Sequence, residues 1–235
     1  MSKKVIPILC DGQSDAVALQ DYLSFLFVDK NIEFVVCGGD LFGDEQSYEK
    51  DIDELLTDAI FNSDRSVDFE ASDILMVVHL IDTDGIFIDD SKISLDKSLD
   101  FTHYYDDGIA VTKNVPATIE LRSKRRERIY ECIAKEEATI KGNLVKYRMF
   151  YMSCNLEHVT HNERNVGSQK EKFLLAQYFA ERFLDDINEF LQFLEERNLS
   201  NTHDFKESWK FIKNHSLDRA TNLTILITNF EDLIK

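Results

Sequence analysis

Residues 73–85 read DILMVVHLIDTDG, a nearly continuous apolar run that ends in two aspartates, Asp82 and Asp84. A run of this kind predicts a β-strand that is buried on both faces, as in a parallel sheet. The two aspartates then lie where the chain leaves the strand. The crevice beyond the carboxyl ends of the strands is the usual ligand site in an open α/β sheet. This stretch therefore predicts both the class of fold and the position of a site.

Two other segments place acidic residues after a predicted strand. Val5–Cys10 predicts the first strand of the chain, and the sequence Asp11-Gly12-Gln13-Ser14-Asp15 follows it directly. Glu157 comes shortly after a strand predicted over residues 145–152. Because the carboxyl ends of parallel strands meet at one edge of a sheet, we expect these acids to converge with Asp82 and Asp84, although they are far apart in sequence.

Strand and helix signals alternate along the first part of the chain, where apolar residues recur at helical spacing between short apolar runs. Such alternation predicts an α/β fold with a mostly parallel sheet flanked by helices. Helices are predicted over residues 15–28, 45–62 and 117–137, and strands over 33–37, 86–88 and 109–112.

Beyond residue 165 the sequence is typical of helices. An apolar stripe predicts one long helix from Phe173 to Leu194, followed by a shorter helix around Trp209 and a last helix over 220–234. Such a stripe either packs on the core or forms a face for a partner, so a homo-oligomer through the C-terminal helices stays open. We expect an α/β domain over residues 1–162 and a helical C-terminal part over 163–235 that packs on it.

The chain of 235 residues carries a net charge of −17, which counts against a protein that grips nucleic acid over a broad basic surface. Net charge is an average, however, and the local field at a site decides binding. One basic cluster lies on the helix predicted over 117–137, and it forms either a solvated helix surface or a patch that contacts nucleic-acid phosphates. Its members are Arg122, Lys124, Arg125, Arg126 and Arg128.

No apolar run approaches the roughly 20 residues that a membrane-spanning helix needs, and the N-terminal apolar segment is too soon interrupted by Asp11 for a signal peptide. We therefore expect a cytoplasmic protein without membrane contact. The cysteines Cys10, Cys37, Cys132 and Cys154 lack the paired spacing of zinc or redox motifs. We expect reduced, mostly buried thiols.

Carboxylates that converge in a crevice are suited to bind a divalent metal ion. Mg²⁺ prefers hard oxygen ligands and is held in proteins by a few carboxylates together with waters. Such an ion activates a water molecule or stabilises a departing oxygen when a phosphate ester is cleaved. His158 and His161 follow Glu157, and they either join this site or serve packing. The candidate ligands of Mg²⁺ or Mn²⁺ are Asp11, Asp82, Asp84 and Glu157.

The order of these elements resembles the Toprim domain of topoisomerases, primases and defence-associated nucleases. The matching features are an apolar strand, the acid-Gly-x-Ser-acid segment at 11–15, a helix, a strand ending in Gly38-Gly39, a helix, and a strand ending in Asp82-Thr83-Asp84. They cover roughly residues 4 to 90. The strand before Glu157 is similar to an element of Toprim nucleases of the overcoming-lysogenisation-defect type and their phage-defence relatives.

The resemblance implies an endonuclease that uses Mg²⁺ or Mn²⁺ to cleave phosphodiester bonds of DNA or RNA, in phage defence or nucleic-acid processing. It implies that Asp82 and Asp84 bind the metal and that Asp11 is a ligand or a general acid or base. Asp15 would cap the following helix or steady the metal's outer ligands, and Gly12 would allow a tight turn. An ATPase activity would have to come from a partner ATPase or another defence protein, because the chain has no Walker-type phosphate loop.

The chain departs from the Toprim pattern at its first acid, where the family has Glu and this chain has Asp11. The side chain is shorter by one methylene, and a misplacement of roughly 1 Å can cost on the order of a hundredfold in rate. Either the backbone compensates, or the activity is altered or lost.

Two alternatives to a nuclease therefore stay open. The first is a non-catalytic Toprim-like interaction subunit, which the negative charge and the apolar C-terminal stripe favour. The second is a phosphohydrolase of the haloacid-dehalogenase type, because Asp82-Thr83-Asp84-Gly85 also resembles the first motif of that family. That motif normally follows the first strand of its fold, whereas two strand-helix units precede it here.

Overall fold

The structure of the protein is a computed structural model that describes residues 4–27, 32–38, 40–61, 69–184 and 186–234. The described strands are β1 (Lys4–Cys10), β2 (Ile32–Gly38), β3 (Met76–Asp82), β4 (Ile93–Leu95), β5 (His103–Tyr104), β6 (Ile109–Val111), β7 (Glu137–Ile140), β8 (Asn143–Ser153) and β9 (Ala220–Thr221). The described helices are α1 (Gln13–Leu26), α2 (Ile52–Phe61), α3 (Val115–Ala134), α4 (Leu156–His161), α5 (Gln169–Arg182), α6 (Ile187–Arg197), α7 (Phe205–Asn214), α8 (Leu223–Thr228) and α9 (Phe230–Leu233). Val28, Gly39 and Asn62, which end predicted elements, lie outside the described residues.

The main sheet has the strand order β2-β1-β3-β8-β7, and β9 pairs with β8. The first four strands in this order are parallel, while β7 and β9 run antiparallel to β8. Helices cover both faces, so the predicted α/β fold with a mostly parallel sheet flanked by helices is confirmed. The C-terminal part contributes β9 to this sheet, where helix alone was predicted.

The strand order changes direction at β1. The chain moves from β1 outward to β2 and then returns to the other side of β1 to form β3. In doubly wound sheets the crevice at such a switch point, beyond the carboxyl ends of the two strands, is the preferred place for a ligand. Asp11 follows β1 and Asp82 ends β3, so both lie at this point.

The side chains of the central strands alternate between two apolar layers. In β3, Met76, Val78 and Leu80 face the layer formed with α1, α5, α6 and α8, whereas Val77 and Ile81 face the layer of α2, α3 and α7. All five side chains are almost completely buried. Strands with two covered faces carry apolar residues at successive positions, which explains the unbroken apolar run in the sequence.

The predicted long helix from Phe173 to Leu194 is wrong, because the stripe belongs to two helices, α5 and α6. Asp186 begins α6 by accepting a hydrogen bond from the backbone N–H of Asn188 at 2.9 Å. Both helices place aromatic rings in one cluster, and Phe179 and Phe190 are fully buried there. The periodicity therefore reports a shared core rather than one continuous helix.

Other predicted elements also differ in extent. Residues 86–88 form a turn instead of a strand, and the N–H of Ile86 bonds to the carbonyl of Thr83 at 2.8 Å. Their apolar side chains signal burial in a turn, since Ile86 is 1% exposed. The helix predicted over 45–62 is divided into a short 3₁₀ helix, Glu45–Tyr48, and α2. The helix predicted over 117–137 ends earlier, at Ala134.

A small second sheet lies after β3, with the order β4-β6-β5. It includes the strand predicted over 109–112 and forms one wall beside the strand ends of the main sheet. All four cysteines are buried and free, as predicted. Within the described ranges, no helix has both the length and the apolar character that crossing a membrane requires.

Candidate acidic site at the strand ends

The strand-end acids predicted from the sequence are connected by backbone hydrogen bonds. The N–H of Asp82 donates to Oδ2 of Asp11 at 3.1 Å, which joins the ends of β1 and β3. The N–H of Leu156, at the start of α4, donates to Oδ1 of Asp82 at 3.0 Å, which joins the ends of β3 and β8. Glu157 is the next residue of α4 and is 2% exposed. Three neighbouring parallel strands therefore bring these carboxylates to one edge of the sheet.

Asp84 is held by the turn that follows β3. Its backbone has a positive φ of 47°, and its N–H donates to the carbonyl of Cys154 at 2.8 Å. The hydroxyl of Tyr104 on β5 donates to Oδ1 of Asp84 at 2.9 Å. Gly85 follows with a φ of 59°, and a Cβ there would come within 2.7 Å of Leu217. The turn thus requires glycine at this position and fixes the direction of the Asp84 side chain.

Arg125 of α3 lies among the acids on one side of the site. Its Nη2 is 3.0 Å from Oδ2 of Asp11 and 3.9 Å from Oδ2 of Asp84, and its Nη1 is 3.0 Å from Oδ2 of Asp40. The side chain is 17% exposed. Burial lowers the pKa of Arg125, but Asp11, Asp84 and Asp40 outweigh this effect and hold the pKa above its ordinary value. The guanidinium is therefore charged and serves as an internal counterion.

A second group of acids lies on the side of the site that faces α5. Asp15 is the third residue of α1 and accepts a hydrogen bond at 3.0 Å from the N–H of Gly12, which is the N-cap residue of this helix. Nζ of Lys172 lies 3.7 Å from Oε2 of Glu157. Interactions with Glu157, Asp82 and Asp15 raise the pKa of Lys172 against the opposing effect of burial. Lys172 is therefore the cation that pairs with this group through Glu157.

Burial and mutual repulsion shift the ionisation of the acids. Burial raises the pKa of Asp82 well above its ordinary value, and the charges of Asp15, Asp84 and Asp11 raise it further. Burial also raises the pKa of Asp15 to about 7, although the hydrogen bond from Gly12 opposes this. For Asp11, burial raises the pKa while Arg125 lowers it. The acids therefore lie close enough to interact, and a bound cation would relieve their repulsion.

Most side chains of the predicted basic cluster form hydrogen bonds within the protein. Arg122 donates to the backbone carbonyls of Asp84 and Gly85, and Arg126 donates to the carbonyl of Ile86 at 3.3 Å. Arg128 donates to the carbonyl of Lys50 and to Glu131. Lys124 is the more exposed member and pairs with Glu120 at 3.0 Å. Arg122 and Arg126 thus brace the turn that carries Asp84, and contact of the cluster with nucleic acid stays a prediction.

Gly12 differs from the role expected of it, whereas His158 serves packing, which is one of the two roles considered above. Gly12 has an extended backbone with φ −134°, which any residue adopts, so a tight turn is not its role. Nε2 of His158 accepts from Nε of Arg164 at 3.0 Å, and its Nδ1 lies 3.0 Å from the carbonyl of Ser153. Burial lowers the pKa of His158 to about 4. His158 is therefore a neutral packing residue, and His161 bonds to Thr160.

The chemistry of the donors fits Mg²⁺ or Mn²⁺, because all the side chains are carboxylates. In the ranges that the structure describes, however, no three His, Cys, Asp or Glu side chains are gathered closely enough to hold an ion together. Asp11 is already bound to Arg125 and to the N–H of Asp82. Binding of an ion therefore competes with these internal contacts.

Three residues of the site were not identified from the sequence. Asp40 follows β2, so the same strand-end reasoning that identified Asp11 applies to it. Tyr104 and Lys172 carry no such signal, because they reach the site from β5 and α5 through long-range packing. Comparison of the chain with family models, with curated proteins and with solved structures found no match.

Proposed function

We propose that this protein is a metal-dependent nuclease of the Toprim type that cleaves phosphodiester bonds of DNA or RNA. The observation that supports this proposal is the meeting of partly buried carboxylates at the topological switch point of a parallel sheet. Asp11, Asp82 and Glu157 follow three neighbouring strands, and Asp84 lies two residues beyond Asp82. Burial raises the pKa of Asp82, the charges of Asp15, Asp84 and Asp11 raise it further, and a bound divalent cation would relieve this repulsion.

In this proposal Asp82 and Asp84 hold the ion, with Asp11 and Glu157 as further ligands. When bound, a divalent ion polarises a phosphate oxygen and lowers the pKa of a bound water. Tyr104 keeps the carboxylate of Asp84 oriented through its hydrogen bond. Arg122, fixed by the carbonyls of Asp84 and Gly85, and Lys172 place positive charge on two sides of the acids. These cations are suited to orient the phosphate of a substrate. A role in phage defence, and a partner ATPase, belong to the same proposal.

A non-catalytic interaction subunit is the second candidate, and one observation favours it. Arg125 already neutralises Asp11 and Asp40 at 3.0 Å each, as expected for a site that has exchanged its metal for an internal cation. A phosphohydrolase of the haloacid-dehalogenase type is less well supported. Its nucleophile would be Asp82, but the motif of that family normally follows the first strand of its fold, whereas Asp82 ends β3.

The test is a calorimetric titration of Mg²⁺ and Mn²⁺ into the wild type and the Asp82→Ala, Asp84→Ala double variant. Each protein is then incubated with plasmid, single-stranded DNA and tRNA. The Glu120→Ala, Glu127→Ala variant is the control, because it removes two negative charges from exposed positions of α3. We expect saturable binding and Mn²⁺-dependent cleavage that only the Asp82, Asp84 variant loses. Absence of binding and cleavage in the wild type would instead favour the interaction subunit.

A further inference from the structure

A pocket of about 340 Å³ opens beside Asp84, on the side of the site that faces α3. Three parts of the chain form its walls: the segment after β2, the small sheet β4-β6-β5, and α3. Its volume lies in the range of small-molecule and cofactor sites. Apolar and aromatic side chains line the interior, namely Phe42, Tyr48, Ile86, Tyr104, Val111 and Leu121. The pocket is therefore suited to a flat, partly apolar group.

The charged groups of the pocket are arranged in two sets. Arg122 and Arg125 lie where the pocket meets the acidic site, next to Asp84. Arg122 uses two of its N–H groups on backbone carbonyls, and a guanidinium has five. The segment after β2 contributes Asp44 and Glu45, which are exposed. Asp44 uses Oδ1 to accept from the N–H of Ser47 and retains its second oxygen as an acceptor.

This arrangement matches the chemistry of a nucleotide. A phosphate needs donors, which the guanidinium groups supply, and a base needs apolar faces, which the tyrosine and phenylalanine rings supply. Ionised carboxylates only accept hydrogen bonds, so they favour a base edge that carries an amino group over one that carries a carbonyl. Cytosine and uracil differ in this respect, because cytosine has an N4 amino group where uracil has an oxygen.

We propose that this pocket holds the base of the nucleotide whose phosphate lies beside Asp84, and that it selects bases with an exocyclic amino group. The proposal rests on the proposed nuclease function, to which it adds a preference for the base next to the cleaved bond. The base packs between α3 and the small sheet. Its amino group donates to the carboxylates of Asp44 and Glu45.

Equilibrium binding of cytidine and uridine monophosphates tests this selection, with ribose 5-phosphate as a ligand without a base. The titrations use the wild type and two variants of α3, Thr118→Trp and Glu120→Trp. Thr118 lines the pocket, so an indole there fills it, whereas Glu120 is exposed and does not line it. Thermal unfolding of both variants verifies that they are folded before the titrations are compared.

In the wild type we expect cytidine monophosphate to bind about fivefold more tightly than uridine monophosphate, in line with the net value of a hydrogen bond whose carboxylate acceptor stays partly solvated. The preference should disappear in Thr118→Trp and persist in Glu120→Trp. Equal affinity for the two nucleotides, or a preference that survives Thr118→Trp, would overturn the proposal. Short trinucleotides with a central cytidine distinguish a strand from a free nucleotide. Binding of cytidine monophosphate without binding of the trinucleotide would contradict the proposal that the pocket holds a base within a nucleic-acid strand.

The outcome is separable from that of the nuclease proposal. A base preference that is present while cleavage is absent contradicts the nuclease and leaves a nucleotide-binding pocket. Metal-dependent cleavage with no base preference, and with equal rates in Thr118→Trp and the wild type, supports the nuclease and removes the pocket from its mechanism. Cleavage of oligonucleotides that differ at one base, cytidine or uridine, gives a second measure of the same preference.

Discussion

The two sides of the acidic site are neutralised to different extents. On the arginine side, Asp11, Asp40 and Asp84 surround Arg125, whose guanidinium nitrogens are within 3.0 Å of two of these carboxylates. On the lysine side, the acids are Asp15, Asp82 and Glu157. Their cation is Lys172, whose Nζ is 3.7 Å from Glu157. The arginine side is close to a fixed ion-pair network, whereas the lysine side keeps its carboxylates crowded.

The comparison shows how one fold can use similar residues for stability and for binding. A planar guanidinium makes several hydrogen bonds at once and is weakly hydrated, which suits it to a buried position between carboxylates. Carboxylates without such a partner raise one another's pKa and bind a proton or a cation instead. We therefore expect substitutions on the arginine side to reduce stability and substitutions on the lysine side to affect ion binding.

The largest expected effect comes from removal of the internal counterion. The Arg125→Met variant leaves Asp11 and Asp40 without their cation in a mostly buried position, and we expect a loss of about 3–5 kcal/mol in the free energy of unfolding. Urea denaturation measures this loss.

The Arg126→Met variant is the control for this measurement. Its guanidinium is 3.8 Å from Asp90, which is 41% exposed, and it donates one long hydrogen bond, of 3.3 Å, to the carbonyl of Ile86, so the loss should be about 1–2 kcal/mol and clearly below that of Arg125→Met. Similar losses for Arg125→Met and Arg126→Met would mean that Arg125 has no special structural role.

Much of this site could be predicted from the sequence because it follows the strand ends. The acids Asp11, Asp82 and Glu157 each follow an apolar run, and parallel strands bring such residues to one edge. The counterions could not be predicted in the same way. Arg125 was identified only as part of a basic helix, and its contacts depend on how α3 packs across the strand ends. Lys172 depends on the packing of α5.

The secondary-structure elements also divide into those that the sequence predicts and those that depend on long-range packing. Strands β1, β2 and β3 were predicted within a few residues, since burial on both faces leaves a continuous apolar signal. The separation of α5 from α6 was not predicted, because helices that share one aromatic core keep a similar apolar period. Strand β9 has two residues and is defined by its pairing with β8, which no local pattern reveals.

A second expected effect is a change in the free energy of unfolding that has opposite signs on the two sides of the site. The Asp11→Asn variant removes a charge that Arg125 binds, and we expect a loss of about 2 kcal/mol in the free energy of unfolding. The Asp82→Asn variant keeps the oxygen that accepts from Leu156 but relieves repulsion among the acids, so stability without metal should equal or exceed that of the wild type.

Thermal and urea unfolding in the presence of a chelator measure both variants. Addition of Mn²⁺ at about 100 times its dissociation constant should stabilise the wild type by about 2.7 kcal/mol and leave Asp82→Asn unchanged. Destabilisation of both variants to the same extent would contradict a functional difference between the two sides.

The last expected effect is a pH dependence of stability on the lysine side. The pKa of Asp15 rises from its ordinary value near 3.8 to about 7 on folding, mainly through burial. The folded state therefore binds a proton more tightly than the unfolded state, and this contribution to stability is complete below pH 3.8 and is lost as the pH rises through 7. The Asp15→Asn variant retains the cap on Gly12 but has no proton to lose.

We expect the wild type to lose stability relative to Asp15→Asn between about pH 4 and pH 7, as measured by urea unfolding in the presence of a chelator. His79 has the opposite effect on the pH dependence of stability. Burial lowers its pKa to about 3, so its contribution to stability is complete above pH 6.5 and decreases as the pH falls below that value. This effect is common to both proteins and cancels in their difference. Parallel stability curves for the two proteins would show that Asp15 is ionised in the folded state throughout. The lysine side would then hold its charges without the crowding that makes it suited to a cation.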